Sequence, residues 1–345
     1  MGVDLGGIVE KNTISLDYLN GKVIAIDAYN MIYQFLSSIR QEDGTPLMDF
    51  KGNPTAHLSG LFYRTTRFLE HGIKPVFVFD GKASDLKRKT IDARNELKLS
   101  ANEKWKKAIE EEKFEEAKKY AQATSRLTMP MVEESKKFLK ALGVPFVQAP
   151  VDGEAQASVM VQKGLAYATG SQDYDALLFG SDRLVRNISI TGRRKIPRQD
   201  KYILVETEEI VLSKVLSELK LTREQLILVG IMVGTDFNDG VKGIGPKKAL
   251  KIVSEVKSLN ELVAYLKEKH NFEFEVDIEE VYKMFIEPPF TDPGKIIFEE
   301  PKKEEIKKIL VEEHDFNLER VEKTVDELIR ITKEKGNQSK LEQWF

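Results

Sequence analysis

Seven carboxylates stand where apolar runs give way to turns or helix starts. Asp27 closes KVIAID (22–27) and Asp80 closes KPVFVFD (74–80). Asp152 and Glu154 open the helix pattern GEAQASVMVQKG, Asp173 and Asp175 lie in TGSQDYDALL, and Asp236 sits in VGTDFNDG. A single Asp at a strand end has a bland explanation, because Asp caps helices and starts turns. Several converging on one edge do not. Asp173 and Asp175 are two residues apart, which on an extended segment puts both on one side. Two such charges ~4 Å apart repel by about 4 kcal/mol at an effective dielectric near 20, so an uncompensated cluster drives its members to hold protons. Divalent cations compensate it. The chain has no cysteine, and its four histidines, His57, His71, His270 and His314, are widely spaced. A metal site here is therefore built mostly of oxygen, which selects hard ions such as Mg²⁺ or Mn²⁺.

The elements that must position these groups read as an α/β protein. Short β-branched or aromatic runs at 22–27, 74–80, 144–150 and 165–173 alternate with helical patterns, one of them stopped by Gly164 and another spanning about 130–142. This alternation implies a mainly parallel twisted sheet flanked by helices, with ligands bound beyond the carboxyl ends of its strands. With 345 residues and 41% hydrophobic content the chain can bury a substantial core. No apolar run reaches the roughly 20 residues of a membrane span, which, with no basic leader at the start, points to an intracellular protein.

The formal net charge is −3, yet charge is unevenly spread. Between Lys82 and Lys107, nine basic residues face four acidic ones; between Ser181 and Lys201, seven face two. Each run carries +5. Alone such runs are solvated faces; near an acidic edge they suit a polyanion. The long connection after Asp80 holds one or two charged helices over about 82–128, read either as a packed solvent-facing hairpin or as a basic structure standing over the acidic edge. Farther on, 223–253 gives helix, glycine-rich turn, helix. Gly240 and Gly245 have the spacing that opens a P-loop, but Pro246 stands where Lys is needed and no Ser or Thr is placed for Mg²⁺, which argues against an ATPase. GVKGIGPKKAL suits a helix-hairpin-helix, whose turn offers backbone N–H groups to a phosphate while Lys247 and Lys248 add charge. The terminal KEKGNQSKLEQWF reads as a polar linker ending in a docking peptide, or as a helix end packed on its own domain.

Together MGV at the start, AIDAYNMIYQFLSSIRQEDGTPL, HLSGLFYRTTRFLEHGIKPVFVFDGK, QAPVDGEAQAS, SQDYDALLFGS, VGTDFNDGVKGIGPKKAL, EEHDFNLERV and the final Gln-x-x-Leu-x-x-Trp-Phe resemble the 5′-flap structure-specific endonuclease family in its archaeal form. The resemblance covers essentially the whole chain. It implies one nuclease domain over 1–334, with an N-terminal part to about 105, an internal part over about 125–260, a helical arch over about 82–128 and the helix-hairpin-helix, followed by a flexible clamp-binding tail at 335–345. It implies hydrolysis of a DNA phosphodiester at a single/double-strand junction, with an associated 5′–3′ exonuclease activity, in Okazaki-fragment maturation and repair.

By the same resemblance the family's metal-site carboxylates fall on Asp27, Asp80, Asp152, Glu154, Asp173, Asp175 and Asp236, serving two Mg²⁺ ions for which Mn²⁺ can substitute. Asp152 departs from the family's usual Glu, so it reaches metal through water or serves as a helix cap. Lys87 and Arg94 correspond to arch residues that act on the scissile phosphate beside Asp175. Tyr33, Arg40, Arg193, Arg194, Gly243, Gly245, Lys247 and Lys248 fall on the DNA-binding side, and for Tyr33 core packing is the rival role. Gln338, Leu341, Trp344 and Phe345 match a motif that docks on a ring-shaped sliding clamp of the PCNA type. A monomer bound to branched DNA is expected, with no membrane partner. Two rivals remain at this point: a phosphatase using Asp173 as a covalent nucleophile, and a non-catalytic DNA-binding scaffold.

Overall fold

The computed structural model describes every residue except Met1, Glu42, Ala83, Glu112, Thr191, 196–201 and 343–345. It describes the backbone alone for Asp85, Arg88, Lys89, 91–95, Phe114, Glu115, Lys118, 192–195, 202–203 and 335–342. Among the described residues nine strands run in chain order: β1 (Asn12–Ile14), β2 (Val23–Asp27), β3 (Lys74–Phe79), β4 (Phe146–Gln148), β5 (Ala168–Gly170), β6 (Arg183–Arg186), β7 (Gly192–Lys195), β8 (Tyr202–Val205) and β9 (Thr207–Val211). Seven form one sheet in the order β1-β9-β6-β5-β2-β3-β4, while β7 and β8 pair by themselves. From β6 to β4 all neighbours are parallel; β9 and β1 add an antiparallel edge.

Helices carry the crossovers. Between β2 and β3 come α1 (Ala28–Ser38) and α2 (Ala56–Glu70), and between β3 and β4 come α3 (Arg88–Glu110), α4 (Phe114–Ala123) and α5 (Met129–Ala141). The β4–β5 crossover is α6 (Gly153–Gln162), and one turn, α7 (Asp175–Leu178), links β5 to β6. Beyond the sheet lie α8 (Leu212–Leu219), α9 (Arg223–Val233), α10 (Pro246–Glu255), α11 (Leu259–His270), α12 (Ile278–Ile286), α13 (Lys303–Lys307) and α14 (Leu318–Glu342).

Ile24, Ala25 and Ile26 of β2 and Val76 to Phe79 of β3 are completely buried, as expected of central strands covered on both faces. One face packs α1, α2, α5 and α14 through Phe35, Phe62, Phe138 and Leu328. The other takes α6 through Ala157, Met160 and Val161. A further core under α9 to α12 is closed by Phe179, Phe237 and Phe285, whose ring centroids lie 4.8–6.2 Å apart.

The expected α/β sheet is present. Two local expectations change. The run 165–173 is strand only over Ala168–Gly170, because Ser171 to Tyr174 turn the chain into α7. The last helix continues to Glu342, through the stretch read as a polar linker. Its Glu, Lys and Gln content is helix-forming, and no proline interrupts it.

Candidate active site

The carboxyl ends of the parallel strands gather the acidic residues. Asp27 ends β2 and caps α1, its Oδ1 accepting the Asn30 N–H at 3.0 Å. Asp80 follows β3, and its Oδ1 accepts the Gly153 N–H at 2.7 Å. Asp152 caps α6 by accepting the Ala155 N–H at 2.8 Å, so the helix-cap role expected of its short side chain is present. Glu154, in the first turn of α6, accepts the Ala176 N–H at 3.3 Å. These bonds explain the residue types, because each acid satisfies a backbone donor that a helix start leaves without a partner.

Asp173 and Asp175 come together differently from the extended pair that their spacing suggested. Asp173 lies in the turn after β5 and its Oδ2 accepts the Asn30 side-chain N–H at 2.9 Å. Asp175 is the first residue of α7, and its Oδ1 accepts the Val3 N–H at 2.7 Å. A Cβ built on Gly2 would lie 2.8 Å from both the Asp173 Cβ and the Asp175 Oδ2. The N-terminal segment therefore passes between the two acids, where only glycine has room.

Burial and like charge act on the cluster together. Burial, then Asp80, pushes Asp27 well above the usual carboxylate range; burial, then Asp173 and Asp175, does the same to Glu154. Asp80 rises to about 6 through burial and Asp152, against Lys87, and Asp175 rises to about 8 through burial and Asp236. Lys87, from the short turn before α3, enters this cluster. Its ammonium donates to Asp152 Oδ2, lies 3.8 Å from Asp236 Oδ2 and sits over the Phe237 ring. Burial alone would lower the Lys87 pKa, but Asp152, Asp80 and Asp236 outweigh it and raise the value.

The donor set fits hard divalent cations: every candidate ligand is a carboxylate oxygen, and the ionised forms are destabilised by one another. Among the described residues no three carboxylate or imidazole groups close around one ion-sized point. The acids are spread along the strand ends, with the Lys87 ammonium lying between Asp152 and Asp236.

The other expected residues take varied places. The 82–128 segment forms two antiparallel helices, α3 and α4; Arg94 lies on α3 with its side chain outside the described residues. Tyr33, on α1, is half-buried with the Lys98 ammonium of α3 4.8 Å from its ring centroid. Arg40 is turned inward, donating to Leu36 O, Gly44 O and Ser125 Oγ at 2.8–3.0 Å. The α9–turn–α10 unit is present, with exposed Lys247 and Lys248, Gly245 capping α10 and Gly243 at φ +82°, a conformation that favours glycine. Arg193 and Arg194 lie on β7 and Gln338 and Leu341 on α14, their side chains outside the described residues; Trp344 and Phe345 lie outside them altogether.

The chemical reading of the residues missed Gly2, Val3 and Asn30. Asn30 carried a signal, since Asp27-x-x-Asn30 is a capping spacing. Gly2 and Val3 entered only as part of the initial MGV motif, and nothing in it points to Asp173 or Asp175, more than 170 residues away.

Two family models match the chain: the XPG N-terminal domain over residues 1–101 and the XPG I-region over residues 143–236. All seven acids fall inside these two spans. The flap endonuclease 1 of Aeropyrum pernix is 51% identical over 352 residues, covering 100% of both chains. The chain belongs to the flap endonuclease 1 family. Flap endonuclease-1 from Methanococcus jannaschii has the same fold, with 43% identity and a TM-score of 0.76 over 97% of this chain and 100% of its own. The catalytic core of Rad2 in complex with DNA substrate, 24% identical, shares the fold with a TM-score of 0.67 over 94% of this chain and 97% of its own. The resemblance read from the motifs is thereby confirmed at the level of family and fold.

Proposed function

We propose that this protein is a structure-specific 5′-flap endonuclease, with associated 5′–3′ exonuclease activity, that hydrolyses a DNA phosphodiester at a single/double-strand junction during replication and repair. The observation that carries this reading is the set of seven carboxylates at one edge of the sheet, entered by Lys87 from the base of a basic helical arch, in a chain that belongs end to end to a flap endonuclease family.

Asp27, Asp80, Asp152, Glu154, Asp173, Asp175 and Asp236 are assigned to two Mg²⁺ ions, with Mn²⁺ a substitute. Asp80, Glu154 and Asp173 are the leading direct ligands. Bound there, such ions lower the pKa of water and offset charge on the in-line transition state. The chain's own residues do the rest. Lys87 is held by its hydrogen-bonded ion pair with Asp152 and by the nearby Asp236, so a phosphate bound there can recruit its ammonium, with Arg94 following from α3. Lys247, Lys248 and the Gly243–Gly245 turn bind duplex backbone without reading bases, while Tyr33 offers a stacking face near α1. Arg193 and Arg194 add charge on the β7–β8 hairpin. Selectivity then comes from the shape of the junction rather than from its sequence. Gln338, Leu341, Trp344 and Phe345 are assigned to a PCNA-type clamp, and the nuclease acts as a monomer inside the cell. No helix among the described residues is long and apolar enough to cross a membrane.

The test is cutting of a flap substrate after EDTA treatment, then after addition of Mg²⁺ or Mn²⁺. Loss and recovery are expected; cutting that persists in EDTA contradicts the assignment.

A further inference from the structure

Arg186 sits in a sequence run whose positive charge suggested DNA contact, yet the structure turns it inward. It ends β6, and only 16% of its side chain is exposed. Its Nε donates to Gln172 O at 3.0 Å and its Nη1 to the Tyr174 hydroxyl at 2.5 Å, with the guanidinium carbon 4.1 Å from the Tyr174 ring centroid. Gln172 and Tyr174 are the two neighbours of Asp173, and Tyr174 separates Asp173 from Asp175. One guanidinium thus grips the turn on both sides of Asp173.

The grip is anchored. Glu208, directly opposite Arg186 on β9, accepts from Nη1 at 3.2 Å, and the Lys11 ammonium lies 3.7 Å from Glu208 and 5.7 Å from the Tyr174 ring. Tyr174 itself is 5% exposed and belongs to the core under α9. The turn is short and irregular, and within it the Ser171 hydroxyl accepts the Asp173 N–H at 3.2 Å.

From this geometry we infer that Arg186 is a positioning residue for the Asp173–Asp175 pair, setting the turn that presents both acids to the metal ions. The inference rests on the assignment of those acids as ligands. A planar fork that stacks on a ring while donating in two directions is specific to arginine; a lysine ammonium keeps the charge and loses both the plane and the fork. Partners that orient ligating groups typically contribute 10–100-fold in metal affinity or activity.

The test compares Arg186→Lys and Tyr174→Phe with wild type in four measurements: kcat on a saturating double-flap DNA, flap Kd in EDTA, Mn²⁺ affinity of the DNA-free protein by electron paramagnetic resonance, and Tm. Arg186→Lys is expected to lose about 10–100-fold in both kcat and Mn²⁺ affinity with flap Kd unchanged. Tyr174→Phe keeps the ring and its packing, so it folds if Arg186→Lys does not; it is expected to shift both quantities the same way by less. Raised flap Kd with a salt slope smaller by about 1 and normal kcat would make Arg186 a phosphate contact and overturn the inference. A lowered Tm with normal kcat and Mn²⁺ affinity would make it structural only, and also overturns it. Asp175→Asn is measured alongside: if that variant binds Mn²⁺ and cuts like wild type, it is the ligand assignment itself that fails.

Discussion

Replacing Gly2 with alanine puts a methyl group between the two acids of the Asp173–Asp175 turn. The added Cβ would sit 2.8 Å from Asp173 Cβ, 2.8 Å from Asp175 Oδ2 and 2.9 Å from Asp175 Cγ, whereas ordinary contact begins near 3.4 Å. Something must move by about 0.6 Å. Asp173 Cβ is bonded directly to the backbone and cannot rotate away. If the turn yields, both acids shift. If the N-terminal segment yields instead, the Val3 N–H that Asp175 Oδ1 accepts at 2.7 Å is pulled off its partner. Either relaxation displaces Asp175. Misplacing reacting groups by about 1 Å costs about 10²-fold, so the expected loss in kcat is about 10- to 100-fold. The assay is single-turnover cutting of an end-labelled double flap, with flap Kd and Tm measured on the same samples. Gly7→Ala is the control, because a Cβ there meets nothing within 4 Å. Wild-type kcat in Gly2→Ala would falsify the claim that this crossing sets the acids.

Three further outcomes follow from the charges and from the terminus. In EDTA the folded chain holds protons on Asp80 (about 6) and Asp175 (about 8) more tightly than the unfolded chain does, so stability is greatest at acidic pH and falls as pH rises through those values. Mg²⁺ should therefore raise Tm more at about pH 9 than at about pH 5, and a pH-independent Mg²⁺ effect refutes the reasoning. His314 has Nε2 2.7 Å from Glu134 Oε1 and Nδ1 3.1 Å from Asp49 Oδ2, so both ring nitrogens donate; the bond to Glu134, against burial, raises its pKa above 6.5. Its stabilisation is complete below that ordinary value and is lost as pH rises through the raised one; His314→Gln should flatten that part of the Tm profile, which Mg²⁺ does not restore. Finally, Phe345→Ala should weaken clamp-stimulated cutting and spare intrinsic cutting, and equal loss of both argues against a separate docking tail.

Much of the scaffold was legible because burial writes itself into composition. The runs 22–27 and 74–80 are strands covered on both faces, so they are apolar throughout and stop at Asp27 and Asp80, where the backbone must turn. Most of the acids were legible at element boundaries, since Asp27 and Asp152 cap helices, Glu154 and Asp175 lie in first turns and Asp80 follows β3. The sheet's antiparallel edge was not legible, because β1 is only three residues long and β9 buries polar Thr207 and Glu209 beside Ile210, so neither shows an apolar alternation. Local charge misled at two arginines: Arg186 grips the Asp173 turn, and Arg183 lies 4.8 Å from the Tyr167 ring centroid. A run of basic residues records how many charges a segment holds, not which way strand alternation points them. Arg40, half-buried, has three of its N–H groups bonded inside the fold, a placement that its sequence neighbours do not show. Gly2, Val3 and Lys87 work through contacts distant in sequence, which no window along the chain can see.

The most direct test of the account is cutting of an end-labelled double-flap DNA against matched duplex and single strand, by wild type and by Asp175→Ala, with Mg²⁺ and with EDTA. The account predicts Mg²⁺-dependent incision at the junction that Asp175→Ala abolishes while flap binding is retained. Junction cutting by Asp175→Ala at the wild-type rate, or tight flap binding with no incision by wild type in any metal, contradicts it.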